Sequence, residues 1–307
     1  MRRPILRLLA PAAFFLLFIA AGCEESPTGV ESDEAAIQAL IEEQAELFGA
    51  DLFSGVGAEE PDTPSLARTA ADIVPMRYGR QITSVDRTIE VQITDMGEEP
   101  DIADVTWTAA ITGTFLVVDD QQNIHEKPFV DTAVRYAQFE QRETVATPHR
   151  GWRLVAVSGT EVTTSDPPGS RQIESVRVHT LSGSVDTTFT DVASLAGVDT
   201  MLSIAVNDTV EVVVTTSEET DVVLLHYPAW AMRHQDRHHI RRRFRNNEDG
   251  SHNGGFVARC RMWVQSQERY GHRKITVDVL SRDTIHTDEG AYDSMAWSIP
   301  YRLTPPR

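Results

Sequence analysis

The sequence predicts two folded domains of different class: helices packed on a curved antiparallel sheet, an α+β arrangement, followed by an all-β sandwich. Three observations support this prediction. Apolar residues first recur at helical spacing, at Ile37, Leu40 and Ile41. From Ile89 onward, apolar residues instead alternate with polar ones, which is the period of a strand. Finally, Pro167-Pro168-Gly169-Ser170 interrupts the chain, and nearly everything beyond it has a strand pattern.

The α+β domain is predicted to span residues 33–165. Its first helix is expected to begin near Ser32, because the acidic residues that follow suit the positive end of a helix dipole, and to end at Gly49. A second short helix is expected over Leu66–Ile73. Four long strands should follow and form an antiparallel sheet, with the last strand covering Trp152–Thr163.

A family resemblance accompanies this layout. A helix, a short helix and long bent strands ending in Gly151-Trp152-Arg153-Leu154-Val155-Ala156-Val157 resemble the nuclear-transport-factor-2-like family over residues 33–165. The resemblance implies a cone, in which the sheet curves around the helices and encloses an apolar cavity. Enzymes of this family place an Asp or a His inside the cone. Asp131 is the one internal carboxylate to consider, but its position near a strand end favours a solvent-facing side chain. His125 and His149 lie beside turns and loops.

The second domain is predicted to span residues 171–307. Its candidate strands run from Ile173–Leu181 to Ala296–Arg302, and turns separate them at the spacing typical of a sandwich. The segment Asn207–Val214 resembles the paired-strand edge of bacterial immunoglobulin-like modules, which implies an immunoglobulin-like β-sandwich. Cys260 shares one strand face with apolar residues, so it is predicted to be a buried packing residue.

The first 22 residues have the layout of a secretory signal peptide, with a basic start, an apolar run and small residues at the exit. The run of about 14 apolar residues is shorter than the roughly 20 that cross a bilayer as a helix. Ala20-Ala21-Gly22-Cys23 resembles the lipobox of bacterial lipoproteins, although Leu is commonest at the first position. The resemblance implies acyl chains such as palmitate on Cys23, with residues 23–32 as a tether. Glu24 favours the outer over the inner membrane by analogy with enteric lipoprotein sorting.

Composition excludes some functions. A formal charge of −18 is too acidic for general nucleic-acid binding. The chain has two cysteines, so lipidation of Cys23 would leave Cys260 without a partner for an intrachain disulfide.

A basic segment, residues 233–245, stands out in this acidic chain. One interpretation is a docking patch for an anionic glycan, a phosphate or the acidic surface of an envelope protein. The favoured alternative is that its arginines pair with acids of the chain itself, including Glu248 and Asp249. The residues of the candidate patch are Arg233, Arg237, Arg241, Arg243 and Arg245.

The same segment contains weak metal ligands. His234, Asp236 and His238 alternate along the chain, and imidazole and carboxylate suit a divalent metal. The surrounding arginines would repel a cation, so no metal site is predicted. The sequence also lacks a phosphate-binding glycine loop, a zinc-protease helix and a CxxC motif. No cofactor is therefore predicted, and nothing in the sequence is positive evidence for an enzyme.

These observations lead to one main functional hypothesis, a lipid-anchored protein of the bacterial cell envelope that binds or scaffolds without catalysis. The alternative is a small-ligand carrier or an enzyme that uses the cavity of the cone. A third possibility is a structural subunit of an envelope complex, in which a sandwich edge pairs with a strand of a partner.

Overall fold

The chain forms two β-sheets accompanied by short helices, as seen in a computed structural model. The structure describes residues 32–49, 55–58, 73–143, 145–230, 237–247, 249–258 and 271–306, with only the backbone in strand segments 55–58, 228–230 and 237–242. Three α-helices lie in these ranges: α1 (Asp33–Glu43), α2 (Ala45–Phe48) and α3 (Arg282–His286). The strands are β1 (Gly55–Ala58), β2 (Pro75–Thr94), β3 (Ile102–Asp119), β4 (Ile124–Gln141), β5 (Trp152–Asp166), β6 (Ile173–Thr180), β7 (Asp186–Phe189), β8 (Ala196–Gly197), β9 (Ser203–Ala205), β10 (Thr209–Thr216), β11 (Val222–Trp230), β12 (Arg237–Arg243), β13 (Arg245–Asn246), β14 (His252–Val257), β15 (His272–Leu280) and β16 (Ser294–Thr304).

The larger sheet has 11 strands and contains both early and late parts of the chain. Its order is β1-β2-β3-β4-β5-β16-β15-β11-β12, with β8 paired to β5 and β9 paired to β16. Strand β16 joins the early and late parts of the sheet, because it is hydrogen-bonded to β5 on one side and to β15 on the other. Asp166 ends β5, and the chain then passes to the smaller sheet, so the predicted boundary at 167–170 coincides with a change of sheet.

The smaller sheet has five strands in the order β13-β14-β10-β6-β7. Alternate apolar residues of β10, such as Val210, Val212 and Val214, are fully buried. They share a core with β11, β15 and β16 of the larger sheet, to which Val277 and Ile299 belong. The two sheets therefore bury their facing apolar sides against each other.

The opposite face of the larger sheet contributes to a second core. Strand β3 alternates strictly, and its buried side chains include Val105, Trp107 and Ile111. The apolar face of α1, with Ile37 and Leu40, belongs to the same core. Because β15 and β16 lie between the two cores, they are buried on both faces and do not show an alternating pattern of burial.

The predicted fold class, an α+β cone followed by a separate immunoglobulin-like sandwich, is wrong. The described residues are mostly strand, and the helices have only 11, 4 and 5 residues, so they do not build the helical layer of a cone. The sheet also does not close around the helices within residues 33–165. It continues from β5 into β16 and so recruits strands from the end of the chain.

The first helix is confirmed at its start and corrected at its end. Ser32 is the N-cap, and its hydroxyl accepts a hydrogen bond from the backbone N–H of Ala35. The predicted single helix is broken at Gln44, which has φ of −97° and ψ of 42°, and a second short helix follows before Gly49. The helix expected over Leu66–Ile73 lies outside the described residues except for Ile73, which is not helical.

Residues Ser32–Arg307 form one compact unit. None of the helices in the described ranges is both long and apolar enough to cross a membrane. The predicted leader, Cys23, the tether up to residue 31 and Cys260 lie outside those ranges.

Candidate functional site

The site residues predicted from the sequence lie only partly within the described structure. Arg233, His234 and Asp236 are outside it. Backbone alone is described for Arg237, His238 and Arg241, which belong to β12, the last strand of the larger sheet.

The two remaining residues of the candidate patch have described side chains. Arg243 is half-buried, and Arg245 is exposed. Among the residues that the structure describes, no group of three or more His, Cys, Asp or Glu side chains could hold a metal ion. The anion-binding interpretation of this segment stays a prediction.

Asp131 differs from its prediction. The sequence favoured a solvent-facing carboxylate, but Asp131 is 2% exposed. It lies on β4 between Phe129 and Ala133, which are also buried and follow the same alternation. Its side chain therefore points into the protein and requires polar partners there. Those partners belong to a cluster that we call the buried polar network: Arg80, Asp131, Thr164, His226, Asp278, Tyr292 and Ser294.

At the centre of the network is a bidentate ion pair between Arg80 on β2 and Asp278 on β15. Nη1 of Arg80 lies 2.5 Å from Oδ2 of Asp278, and Nη2 lies 2.8 Å from Oδ1. Both side chains are buried, and His226 on β11 completes the carboxylate's contacts with Nε2 3.1 Å from Oδ2. The planar fork of a guanidinium matches a carboxylate in this geometry, which gives strong and directional bonds.

Tyr292 connects this ion pair to Asp131. Nε of Arg80 donates to the Tyr292 hydroxyl at 2.6 Å, and the same hydroxyl donates to Oδ2 of Asp131 at 2.9 Å. The ring of Tyr292 is stacked on Phe129, with centroids 4.6 Å apart, so packing fixes the position of the hydroxyl. Tyr292 thus acts as both acceptor and donor between two groups of opposite charge.

Two hydroxyl groups complete the network on the side of β5 and β16. Thr164 donates to Oδ1 of Asp131 at 3.0 Å and accepts from the backbone N–H of Ser294 at 3.0 Å. Nη2 of Arg80 donates to Oγ of Ser294 at 3.1 Å. These bonds tie β2, β4, β5, β11, β15 and β16 to the loop that carries Tyr292.

The electrostatics of the two carboxylates differ. Burial would raise the pKa of Asp278, but the charge and hydrogen bonds of Arg80, with smaller effects of His226, lower that pKa far below its usual range. For Asp131, burial dominates and raises the pKa despite the charge of Arg80 and the hydrogen bonds from Tyr292 and Thr164. Burial also raises the pKa of Tyr292. Asp278 is therefore the anion that compensates Arg80, and Tyr292 stays neutral.

Apart from Asp131, the residues of the network were not among the predicted site residues. One signal for the network is Asp278, an acid within the segment Ile275–Leu280, whose other residues are apolar apart from Thr276. A charged residue in the middle of a strand that is buried on both sides requires a buried counter-ion. Nothing in the sequence identifies Arg80 as that counter-ion, since 198 positions separate the two residues.

The hydrogen-bonding groups of the buried polar network are satisfied within the network. Its donors and acceptors are used in bonds to one another, and the exposed fractions of Arg80, Asp131, Asp278 and Tyr292 are 3%, 2%, 0% and 1%. A group that acts on a substrate must offer it a donor or an acceptor, and in this conformation those of the network are engaged with one another. The arrangement is suited to holding strands together.

Comparisons with known proteins return nothing for this chain: no family model matches, and no curated protein or solved structure matches either. They do not bear on the family resemblances.

Proposed function

We propose that this chain is a lipid-anchored protein of the bacterial cell envelope that serves as a non-catalytic binding or scaffolding module. The observation that carries the proposal is the lipobox-like exit of the leader, Ala20-Ala21-Gly22-Cys23, directly after an apolar run too short to span a bilayer. One acyl chain binds a membrane only marginally, at about 0.8 kcal/mol per buried methylene, whereas two or more hold it stably. A multiply acylated Cys23 is accordingly a lasting anchor.

The character of the body supports a binding role over catalysis. Several titratable side chains of the described residues meet in the buried polar network, and they are bonded to one another. A β-rich unit whose strands are joined by the buried polar network is suited to serve as a rigid module held at a membrane. Partners in this proposal are the membrane, through Cys23, and an envelope protein or anionic glycan. Nucleic acid is not a partner in this proposal, because the protein's formal charge of −18 would repel its phosphates.

Intact-mass analysis of the full chain, expressed in a bacterium and extracted from its membranes, tests the anchor. We expect a mass that lacks residues 1–22 and includes acyl chains. Cys23→Ser should abolish acylation and membrane retention, and Cys260→Ser, the matched control at the other cysteine, should leave both unchanged. Unmodified protein in the soluble fraction would overturn the proposal. Density-gradient separation of the membranes tests the outer-membrane assignment.

The anionic-partner part of the proposal has its own experiment. Neutralising Arg241, Arg243 and Arg245 together should weaken binding to immobilised lipopolysaccharide in a salt-dependent way. A control triple variant at other arginines, Arg142, Arg153 and Arg177, removes the same charge from half-exposed or more exposed side chains. Equal binding by both variants and the parent would rule out the patch.

A further inference from the structure

A second buried arginine contrasts with Arg80. Arg135 lies on β4 and is 0% exposed. Its Nη1 donates to the backbone carbonyl of Leu47 in α2, and its guanidinium lies 5.6 Å from the ring centroid of Phe48. These contacts satisfy one edge and one face of the group. They supply no negative charge.

The remaining edge of Arg135 has no partner among the residues that the structure describes. Neither Nε nor Nη2 makes a hydrogen bond, although both atoms are buried. Burial is the one cause that lowers the pKa of Arg135, to about 9, and among the described residues no carboxylate is ion-paired with it. A buried, uncompensated cation costs several kcal/mol, so a chain that keeps one needs a compensating gain in some other state.

The two atoms without hydrogen bonds, Nε and Nη2, indicate which kind of ligand would compensate the cation in a bound state. Nε–H and one N–H of Nη2 point in the same direction along one edge of the guanidinium, and this pair binds the two oxygens of a carboxylate side by side. In Arg80 the two terminal nitrogens already hold Asp278 in this bidentate manner. Arg135 presents the equivalent fork without the acid.

The surroundings of Arg135 are largely apolar and include small side chains. Ala133 and Ala137 flank it on β4, and Trp107 is its partner on β3. Thr160 is its partner on β5. Such a lining suits an acid whose remaining atoms are apolar, because a second charged group would be buried without a partner.

We propose that the Nε/Nη2 edge of Arg135 is a binding site for the carboxylate of a small, otherwise apolar acid. Binding forms two charge-assisted hydrogen bonds and neutralises the buried cation, so the complex is stabilised relative to the free protein. The site deepens the proposed binding role but does not depend on the lipid anchor. Mass analysis of Cys23 and ligand binding at Arg135 therefore succeed or fail separately.

The test uses the full chain purified in detergent. Thermal unfolding and calorimetric titration are measured with sodium butyrate, with sodium chloride at equal ionic strength, with 1-butanol as the neutral analogue, and with sodium phosphate. We expect butyrate alone to raise the melting temperature in a concentration-dependent way. Arg135→Met and Arg135→Lys should each weaken butyrate binding by about tenfold or more, since each removes the pair of parallel charge-assisted hydrogen bonds. Lysine keeps the charge but loses the planar fork.

A matched control is Arg177→Met, which removes a half-exposed arginine from β6 and should leave butyrate binding unchanged. The proposal fails if butyrate gives no more stabilisation than sodium chloride, or if Arg135→Met responds as the parent does. A response to phosphate but not to butyrate would overturn the assignment to a carboxylate.

Discussion

Arg80 and Asp278 are joined by two parallel hydrogen bonds of 2.5 and 2.8 Å in the interior of the protein. Arg80 belongs to β2, near one end of the larger sheet, and Asp278 belongs to β15, beyond β16. Four strands lie between β2 and β15 in the order of the sheet, so the sheet must curl until these two strands approach each other closely enough to form the ion pair. It links the beginning and the end of the chain through side chains, as β5 and β16 link them through the backbone.

The first prediction concerns this pair. Asp278→Asn should lower the free energy of unfolding by about 3–5 kcal/mol, because it leaves the charge of Arg80 buried without its counter-ion. The double variant Arg80→Met, Asp278→Leu should lose less than the single variant, since neither member of the pair is then left buried without the other. Urea unfolding of both variants measures the difference.

A control for that experiment is the half-exposed pair of Arg177 and Asp186, which are 2.7 Å apart on the smaller sheet. Replacing both of these residues should change the free energy of unfolding little, because an ion pair that water already solvates contributes little to stability. If Asp278→Asn is no more destabilising than this control, the buried pair does not stabilise the fold.

The second prediction concerns the Tyr292 hydroxyl, which connects Arg80 to Asp131 within the buried polar network. Tyr292→Phe keeps the ring stacked on Phe129 but removes the acceptor for Arg80 and the donor to Asp131. Each buried group left unsatisfied costs about 1–3 kcal/mol, so we expect a loss of about 2 kcal/mol or more in chemical denaturation.

Tyr136→Phe is the matched control, because Tyr136 is 40% exposed and lies on the same sheet. It should be close to neutral. An equally small effect of Tyr292→Phe would indicate that water or a shifted Ser294 replaces the hydroxyl.

Local elements of this fold were predictable where a regular pattern met a single environment. Strand β3 lies within the alternating pattern that was predicted from Ile89 onward, and it alternates because one face, with Val105, Trp107 and Ile111, is buried. The start of α1 was predicted near Ser32 from the acidic residues that follow it, which suit the positive end of a helix dipole. Both signals depend on residues within a few positions of each other.

The fold class was not predictable in the same way, because it depends on a distant pairing. Whether the sheet closes after β5 or continues is decided by β16, and residues 160–163 on one strand meet 295–298 on the other. No local pattern encodes that choice. The early part of β2 was missed for a related reason: Arg80 is buried there, and a charged residue breaks the apolar alternation that indicates a strand.

The third prediction concerns close backbone approach at Gly159. A Cβ at this position would lie 2.7 Å from the backbone carbonyl oxygen of Ser298 and would also clash with the side chain of Val192. The side chain can rotate, but the paired strand cannot move without breaking its ladder. Gly159→Ala should therefore destabilise the protein by about 1–3 kcal/mol in chemical denaturation.

The comparison for Gly159 is Gly271→Ala, since among the described residues a Cβ there meets one side-chain atom of Arg273, at 3.4 Å, which is an ordinary contact. It should change the free energy of unfolding little. If both substitutions are equally tolerated, β5 and β16 can separate enough to admit a methyl group.

The fourth prediction concerns His125, which bridges two acids. Its Nδ1 lies 2.6 Å from Oδ1 of Asp288, and its Nε2 lies 3.2 Å from Oδ2 of Asp119. Burial opposes protonation, but the hydrogen bonds and charges of Asp288 and Asp119 outweigh it and raise the pKa of His125 above the usual 6.5. The ammonium group of Lys127 also lies in this region, where it donates to two carbonyls of the α3 segment. The protonated ring joins the turn after β3 to the loop after α3.

Because the folded-state pKa of His125 is raised, its stabilising contribution is present in full below about pH 6.5 and is lost as pH rises through the folded pKa. Comparing the free energies of unfolding of the parent and His125→Gln between about pH 5.5 and 9 should therefore show a parent advantage at the acidic end that shrinks at the alkaline end. Asp288→Asn should reduce the same pH dependence, since it removes the acceptor at 2.6 Å while keeping the imidazole. A difference between parent and His125→Gln that stays constant, or grows with pH, would mean that the ring bridges the two acids in its neutral form.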